Sequence, residues 1–279
     1  MKIAIVGATS FIGKILIPYI LKKDHTIVAT YCTNNNFKSH KKIIWKKLDI
    51  KKNKKNYFKY LGEPDVLINL AWPDIPNYRL KKHFKTFYEQ KKFNYNLVKN
   101  GLKNLIILGT CYEYGKVKGS VKENKKENPI IPYAIAKLSL LKSLQKIKSK
   151  FSFKFTWLRP FFVYGNNKKR KTLFTIIKDL EKNKIPTFEV NGSLVRDFVP
   201  VNFLCSSILK IASLNKSYGI VNISTGKGLS VKNFIKKNLK NKKNFKRFNM
   251  LGKYKNDFEP NSFWGNNLKL KSILKERVR

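Results

Sequence analysis

Sulfur and imidazole are scarce in this chain. Its three cysteines (Cys32, Cys111, Cys205) follow no pairing pattern, which excludes a disulfide scaffold, and its three histidines (His25, His40, His83) have no ligand spacing, so no metal site is expected. Long apolar runs are missing as well. No stretch approaches the roughly 20 residues that cross a bilayer, and residues 1–13 read as a core strand and turn, not as the apolar core of a leader. The expectation is a soluble, cytoplasmic protein with no membrane association. Acidic residues are few, 16 against 60 Lys and Arg, for a formal charge of +44. Only seven of the basic residues are Arg (Arg79, Arg159, Arg170, Arg196, Arg247, Arg277, Arg279), and the lysines are scattered among asparagines without forming blocks. Nucleic-acid readers favour guanidinium forks gathered on one face, so a specific nucleic-acid partner is not expected. A positive field that speeds capture of an anion is.

Glycine, though sparse, is placed tellingly. Residues 1–13, MKIAIVGATSFIG, run from a short apolar strand (Lys2–Val6) into a bend at Gly7 and a helix from about Lys14, with Gly13 allowing close packing of helix on strand. The free amides and positive dipole end of such a helix cradle a dinucleotide pyrophosphate. Ser10 fills the position between the two glycines and keeps it small.

Further apolar runs recur with helices between them: Thr26–Tyr31, Ile43–Leu48, Val66–Leu70, Leu105–Gly109 and Phe155–Leu158 as strands, with helices over Lys14–Lys22, Tyr78–Lys99, Tyr133–Lys150, Leu173–Glu181 and Val201–Leu214. Strands alternating with helices predict an α/β fold with a doubly wound parallel sheet of Rossmann type. After about residue 160 the alternation decays. This divides the chain into a dinucleotide-binding domain over 1–165, to which 201–224 returns, and a smaller C-terminal substrate-binding lobe from 166–200 and 225–279. Two polar stretches, Gly115–Pro132 and Lys236–Asp257, read as a loop over the site and a mobile surface segment.

The chemistry centres on Tyr133-Ala-Ile-Ala-Lys137, which follows Pro132 at a helix start. Positions i and i+4 share a helix face, so phenol and ammonium stand together, and a fixed cation is expected to lower the phenol from its usual value near 10. The pair can then move a proton at an alcohol or ketone oxygen. Thr110, at the carboxyl end of the strand before it, adds a hydroxyl where ligands of a doubly wound sheet bind.

These residues carry a resemblance. GATSFIG (7–13), Asp49-Ile50, Leu70-Ala71-Trp72, Thr110 with Cys111-Tyr112-Glu113-Tyr114-Gly115, Tyr133/Lys137, Arg159-Pro-Phe-Phe-Val-Tyr-Gly165 and Arg196-Asp-Phe-Val-Pro-Val201 occur in an order that resembles the extended short-chain dehydrogenases/reductases of the nucleotide-sugar epimerase/dehydratase group. The resemblance implies Thr110, Tyr133 and Lys137 as the catalytic set. It implies a cofactor held by Gly7, Thr9, Ser10, Phe11, Ile12 and Gly13, by Tyr31, by Asp49 and Ile50 at the adenine, and by Leu70, Ala71 and Trp72. Tyr133 and Lys137 would meet the nicotinamide half, which passes Pro160, Phe161 and Val163. Cys111, Tyr112, Glu113 and Arg196 would face a nucleotide-sugar substrate, Arg196 as a clamp on its diphosphate. A homodimer through a four-helix contact of Tyr78–Lys99 and Tyr133–Lys150 is also implied.

Departures from the pattern narrow the reaction. Dehydratases of the group carry Asp-Glu after the threonine, where this chain has Cys111-Tyr112, so elimination is disfavoured. The second strand ends without the acid that binds a ribose 2′-hydroxyl, and Lys38, Lys41 and Lys42 follow, which suits NADP over NAD. The reading is therefore NAD(P)H-dependent reduction of the C4 carbonyl of a nucleotide-linked 4-keto-6-deoxy sugar, for surface polysaccharide precursors. The alternatives are a 4-epimerase with tightly bound NAD, and a non-catalytic cofactor sensor or nucleic-acid binder.

Overall fold

Ile3 and Ile5 of the first strand, β1 (Lys2–Val6), turn to one face and Ala4 and Val6 to the other, all four buried. A strand that needs apolar cover on both sides lies inside a layered α/β fold. In this computed structural model, which describes residues 1–33, 37, 39–166, 172–250 and 257–278, the chain continues through α1 (Phe11–Leu21), β2 (Thr26–Tyr31), β3 (Ile43–Lys47), the single turn α2 (Tyr57–Tyr60), β4 (Val66–Asn69), α3 (Lys82–Lys99), β5 (Asn104–Leu108), β6 (Gly119–Val121), α4 (Pro132–Lys148), β7 (Lys154–Pro160) and β8 (Phe162–Tyr164). It then forms α5 (Leu173–Glu181), β9 (Phe188–Glu189), β10 (Val195–Arg196), β11 (Phe198–Pro200), α6 (Val201–Leu214), β12 (Gly219–Ile223), β13 (Leu229–Ser230), α7 (Val231–Asn238), β14 (Phe248–Asn249), β15 (Phe263–Gly265) and α8 (Leu268–Lys275).

Seven strands in the order β12-β7-β5-β4-β1-β2-β3 form one parallel sheet. The order reverses between β1 and β4, the switch point at whose carboxyl ends ligands bind in such sheets. One face is covered by α1, α6 and α8 through Leu16, Ile20, Leu204, Ile208, Leu270 and Ile273. The other packs α3 and α4 through Phe93, Leu97, Leu141 and Leu144 against Trp157. A separate core, Ile177 and Leu180 of α5 with Phe234 and Ile235 of α7, builds a smaller lobe.

The structure departs from the sequence reading at several points. Helix α1 starts at Phe11, because the Ser10 hydroxyl caps it by accepting from the Gly13 amide at 3.1 Å. Residues 78–81 precede α3, in turns around Asn77. The stretch 115–132 is no free loop: β6 pairs with β15 and buries Val121 in the main core. Lys236–Asp257 folds as well, as far as it is described, with Arg247 donating to the carbonyls of Leu180, Ile185 and Pro186. Helix α8, grouped by the sequence reading with the substrate lobe, lies on the main sheet because Leu270 and Ile273 find their cover there. Among the described residues, no helix is long and apolar enough to cross a membrane.

Candidate active site

The turn after β1 has the form of a phosphate cradle. Gly7 sits at φ +83°, and a Cβ there would come within 3.0 Å of the Ala71 backbone nitrogen; a Cβ on Gly13 would come within 2.6 Å of the carbonyl oxygens of Gly7 and Ala8. Both positions require glycine. Thr9, Ser10, Phe11 and Ile12 are partly exposed along the first turn of α1, whose leading amides have no partner inside the helix. The Gly7 amide donates to the Thr30 hydroxyl at 3.2 Å, tying the cradle to β2. Leu70 continues β4 by donating its amide to Val6. Ala71 is held on both sides: its amide donates to Asn69 Oδ1 at 3.1 Å, and its carbonyl accepts from Gln90 Nε2 at 2.7 Å.

The adenine side is less assembled. Asp49 and Ile50 follow β3, with Asp49 Oδ1 accepting from the Lys51 amide at 3.0 Å. Tyr31 lies 5.0 Å from the Phe37 ring, which stacks on Trp45 at 3.7 Å. Of the lysines expected near a 2′-phosphate, Lys42 is paired with Asp24 at 2.6 Å and Lys38 lies outside the described residues. The turn at β1, the end of β4 and the partly exposed strand end at Tyr31 fit a bound nicotinamide dinucleotide.

Thr110, Tyr133 and Lys137 converge at the end of β5. Pro132 opens α4, where its missing amide costs nothing, and sets Tyr133 and Lys137 one turn apart. All three are buried. Thr110 Oγ1 hydrogen-bonds the Tyr133 hydroxyl and accepts from the Tyr112 amide at 3.3 Å. Lys137 Nζ donates to the Leu108 carbonyl at 2.6 Å and stands 4.0 Å over the Trp72 ring.

The electrostatics overturn one expectation. Burial pushes the Tyr133 phenol well above its ordinary value, with Tyr78 and Glu113 adding to the rise and the Thr110 hydrogen bond opposing it. Desolvation wins because the Lys137 ammonium points at Leu108 and Trp72. Tyr133 is thus held as a phenol, a proton donor. Burial draws Lys137 down to about 7, opposed by the charge of Glu113.

The expected substrate residues are distributed differently. Glu113 is fully buried beneath the site: its carboxylate accepts from the Thr110 amide at 2.9 Å, the Trp157 indole at 3.1 Å and Arg159 Nε at 2.7 Å. It anchors the 3-10 turn Cys111–Tyr114. Cys111 is buried, and desolvation raises its thiol far above the usual range. Tyr112 packs edge-on against Tyr78 and Phe258 and donates to Glu259 Oε1 at 2.6 Å. Arg196 is buried, with NH2 2.9 Å from Glu259 and NH1 donating to the carbonyls of Val195 and Asn261. Pro160 ends β7, Phe161 donates its amide to Ile223, and Val163 pairs with Val199.

Sequence reasoning missed Thr30, Asn69, Gln90, His83, Tyr78, Phe258 and Glu259. Each acts by a contact between distant segments, for which local spacing carries no signal.

A glycine-lined turn at the switch point of a parallel sheet, with a threonine, a tyrosine and a lysine gathered at the end of β5, defines an extended short-chain dehydrogenase/reductase. Residues 3–224 match the model of the NAD-dependent epimerase/dehydratase family, and the chain belongs to it. It is 27% identical over 249 residues to the dTDP-6-deoxy-L-talose 4-dehydrogenase (NAD(+)) of Aggregatibacter actinomycetemcomitans, covering 84% of this chain and 88% of that protein. It is also 27% identical to an uncharacterized UDP-glucose epimerase of Bacillus subtilis, covering 72% of this chain and 69% of the relative. Among solved structures it resembles the UDP-N-acetylglucosamine 4-epimerase of Methanobrevibacter ruminantium at TM-score 0.83 and 18% identity, covering 100% of this chain and 93% of that one. The UDP-glucuronic acid 4-epimerase of Bacillus cereus, solved with UDP-glucuronic acid and NAD, matches at TM-score 0.76 and 22% identity, covering 100% and 94%.

Proposed function

We propose that this protein reduces the C4 carbonyl of a nucleotide-linked 4-keto-6-deoxy sugar. The observation that carries the reading is the buried Tyr133 hydroxyl, hydrogen-bonded to Thr110 at the end of β5, with Lys137 one helical turn along α4. A nicotinamide dinucleotide supplies the hydride when bound. Tyr133 then delivers its proton to the developing alkoxide, Thr110 orients the carbonyl oxygen, and Lys137 holds the ribose hydroxyls beside the end of β5. Elimination is disfavoured because Cys111 and Tyr112 stand where a dehydratase needs an acid and a base; the next carboxylate in the chain, Glu113, is committed to Arg159, and Glu259, which accepts from Tyr112, is paired with Arg196. A relative that acts as a 4-dehydrogenase on a 6-deoxy sugar nucleotide supports the same choice. Arg196 takes the substrate diphosphate in exchange for Glu259.

Among the described residues the end of β2 offers no carboxylate for a 2′-hydroxyl, and Lys41 is exposed, which supports NADP; Lys42 adds nothing, being paired with Asp24. Comparing KM for NADPH and NADH decides this point, and a lower value for NADH overturns it. Oxidation of either dinucleotide in the presence of a 4-keto-6-deoxy sugar nucleotide, followed by nicotinamide absorbance, tests the reaction. No turnover with such substrates, or full activity in Tyr133→Phe, overturns it. The 4-epimerase reading is favoured by the epimerases among the structural neighbours; stoichiometric NAD that copurifies and does not exchange would establish it instead.

A further inference from the structure

Lys137 is held by more than a backbone carbonyl. Its ammonium stands 4.0 Å above the Trp72 indole, and the same indole meets the Tyr133 ring edge-on, with 6.0 Å between centroids. Trp72 Nε1 donates to Nδ1 of the fully buried His83 at 3.1 Å. The other imidazole nitrogen lies 3.0 Å from the Asn77 carbonyl. With Nδ1 accepting, the proton sits on Nε2, so one neutral tautomer satisfies both contacts. The His83 ring also rests edge-on against Tyr133 at 5.3 Å. Four side chains from two segments therefore fix one another: imidazole sets the rotation of indole, and indole sets the place of the ammonium.

No carboxylate among the described residues lies within ion-pair distance of Lys137 Nζ. The titratable groups around the Tyr133/Lys137 pair are Glu113 and Cys111 from the turn after β5 and Tyr78 and His83 from the segment after β4, of which Glu113 bears on Lys137. Glu113 acts only from a distance, because its oxygens are taken by Arg159, Trp157 and the Thr110 amide. Besides the Leu108 carbonyl, the negative face of the indole ring is what remains in direct contact with the charge.

We propose that Trp72 and His83 are positioning residues for Lys137: the indole face keeps the buried ammonium charged and aimed at the end of β5, and the imidazole locks the indole in that place. The proposal rests on the reading of Lys137 as the residue that meets the dinucleotide. It assigns Trp72 a role in tuning the ionisation of this lysine, beyond lining the cofactor.

The test is the pH dependence of dinucleotide affinity, measured by calorimetry on the full chain from about pH 6 to about pH 9. In the wild type, affinity falls on the alkaline side as Lys137 loses its proton. Removing a desolvated cation–π contact shifts that ionisation by about tenfold, so Trp72→Leu moves the fall by about one pH unit toward acid. Trp72→Phe keeps a ring face and leaves the profile in place, while His83→Leu displaces it in the same direction as Trp72→Leu. Should Trp72→Leu not fold, Trp72→Met keeps the packing without the ring and replaces it in the series. A profile that is lowered equally at every pH but not displaced overturns the proposal, as does a Trp72→Phe profile displaced like that of Trp72→Leu. Failure of the functional reading is separate: a wild type that turns over no nucleotide sugar, alongside a Trp72→Leu profile displaced from its own, sinks the reaction and not this assignment.

Discussion

At the residue scale, burial decides the ionisation of both groups of the Tyr133/Lys137 pair. Spacing made the pair legible in the sequence, since four residues on a helix define a shared face. It did not show that the ammonium would turn toward Leu108 and Trp72, so the sign of the tyrosine shift was misjudged. Tyr133→Phe removes the proton and is expected to lower kcat by about a thousandfold, within the usual range for general acid catalysis, while dinucleotide affinity changes little. Lys137 makes a second expectation concrete. Its folded value of about 7 lies below its ordinary 10.5, so between these values the unfolded chain binds the extra proton and stability rises with pH. Below pH 7 the full cost is present, on the order of 5 kcal/mol at about 1.4 kcal/mol per pH unit. Lys137→Met is therefore expected to unfold at higher temperature than the wild type at pH 6, with the advantage shrinking steadily toward pH 10. Thermal unfolding followed by circular dichroism across that window checks it, and a constant difference would contradict it.

At the scale of elements, the 3-10 turn Cys111–Tyr114 shows how a structural residue can imitate a catalytic one. In the sequence Glu113 stands three residues after Thr110 and reads as a substrate group. In the fold its carboxylate closes a capping box on the Thr110 amide and neutralises Arg159. Glu113→Gln leaves Arg159 with Glu127 alone; breaking a buried pair costs about 3–5 kcal/mol, and the lower end is expected here. Denaturant unfolding measures it, and the loss of kcat should follow the loss of folded protein. Arg196 poses the opposite case. The sequence marks it as a clamp but gives no hint of its partner, because Glu259 lies 63 residues away. Arg196→Met is expected to raise KM for the nucleotide sugar by at least about tenfold, the cost of losing a charge-assisted contact, with kcat nearly unchanged. The main-sheet strands up to β7 and helices α1, α3 and α4 were legible because period-2 and helical patterns are local, whereas β6 and the single turn α2 were not. The strap that carries Phe258 and Glu259 onto the site was not, since its pairing is wholly long-range.

At the scale of the whole molecule, the charge excess is the property that composition stated most plainly and that the fold leaves unrelieved. Against 60 basic side chains stand 16 acidic ones, and several of these, among them Glu113, Glu127 and Glu259, are committed to Arg159 and Arg196 inside the protein. The exterior is left strongly cationic, and folding concentrates these charges, so self-repulsion works against the compact state. Helix α3 also exposes Phe84, Tyr88 and Tyr95, and the same repulsion opposes the homodimer contact that the family resemblance implies for this helix. Screening sets in over about 10 Å at 0.1 M salt, whereas at 0.01 M the field reaches about 30 Å. Raising salt from about 0.01 M to about 0.15 M is therefore expected to raise Tm by a few degrees, the reverse of a protein held together by surface ion pairs. The field that destabilises the fold also draws in an anionic sugar nucleotide, so kcat/KM should fall over the same range while kcat stays level. The two trends have one cause and opposite signs; a Tm that drops with salt, or a kcat/KM indifferent to it, would show that the lysine exterior neither strains the fold nor steers the substrate.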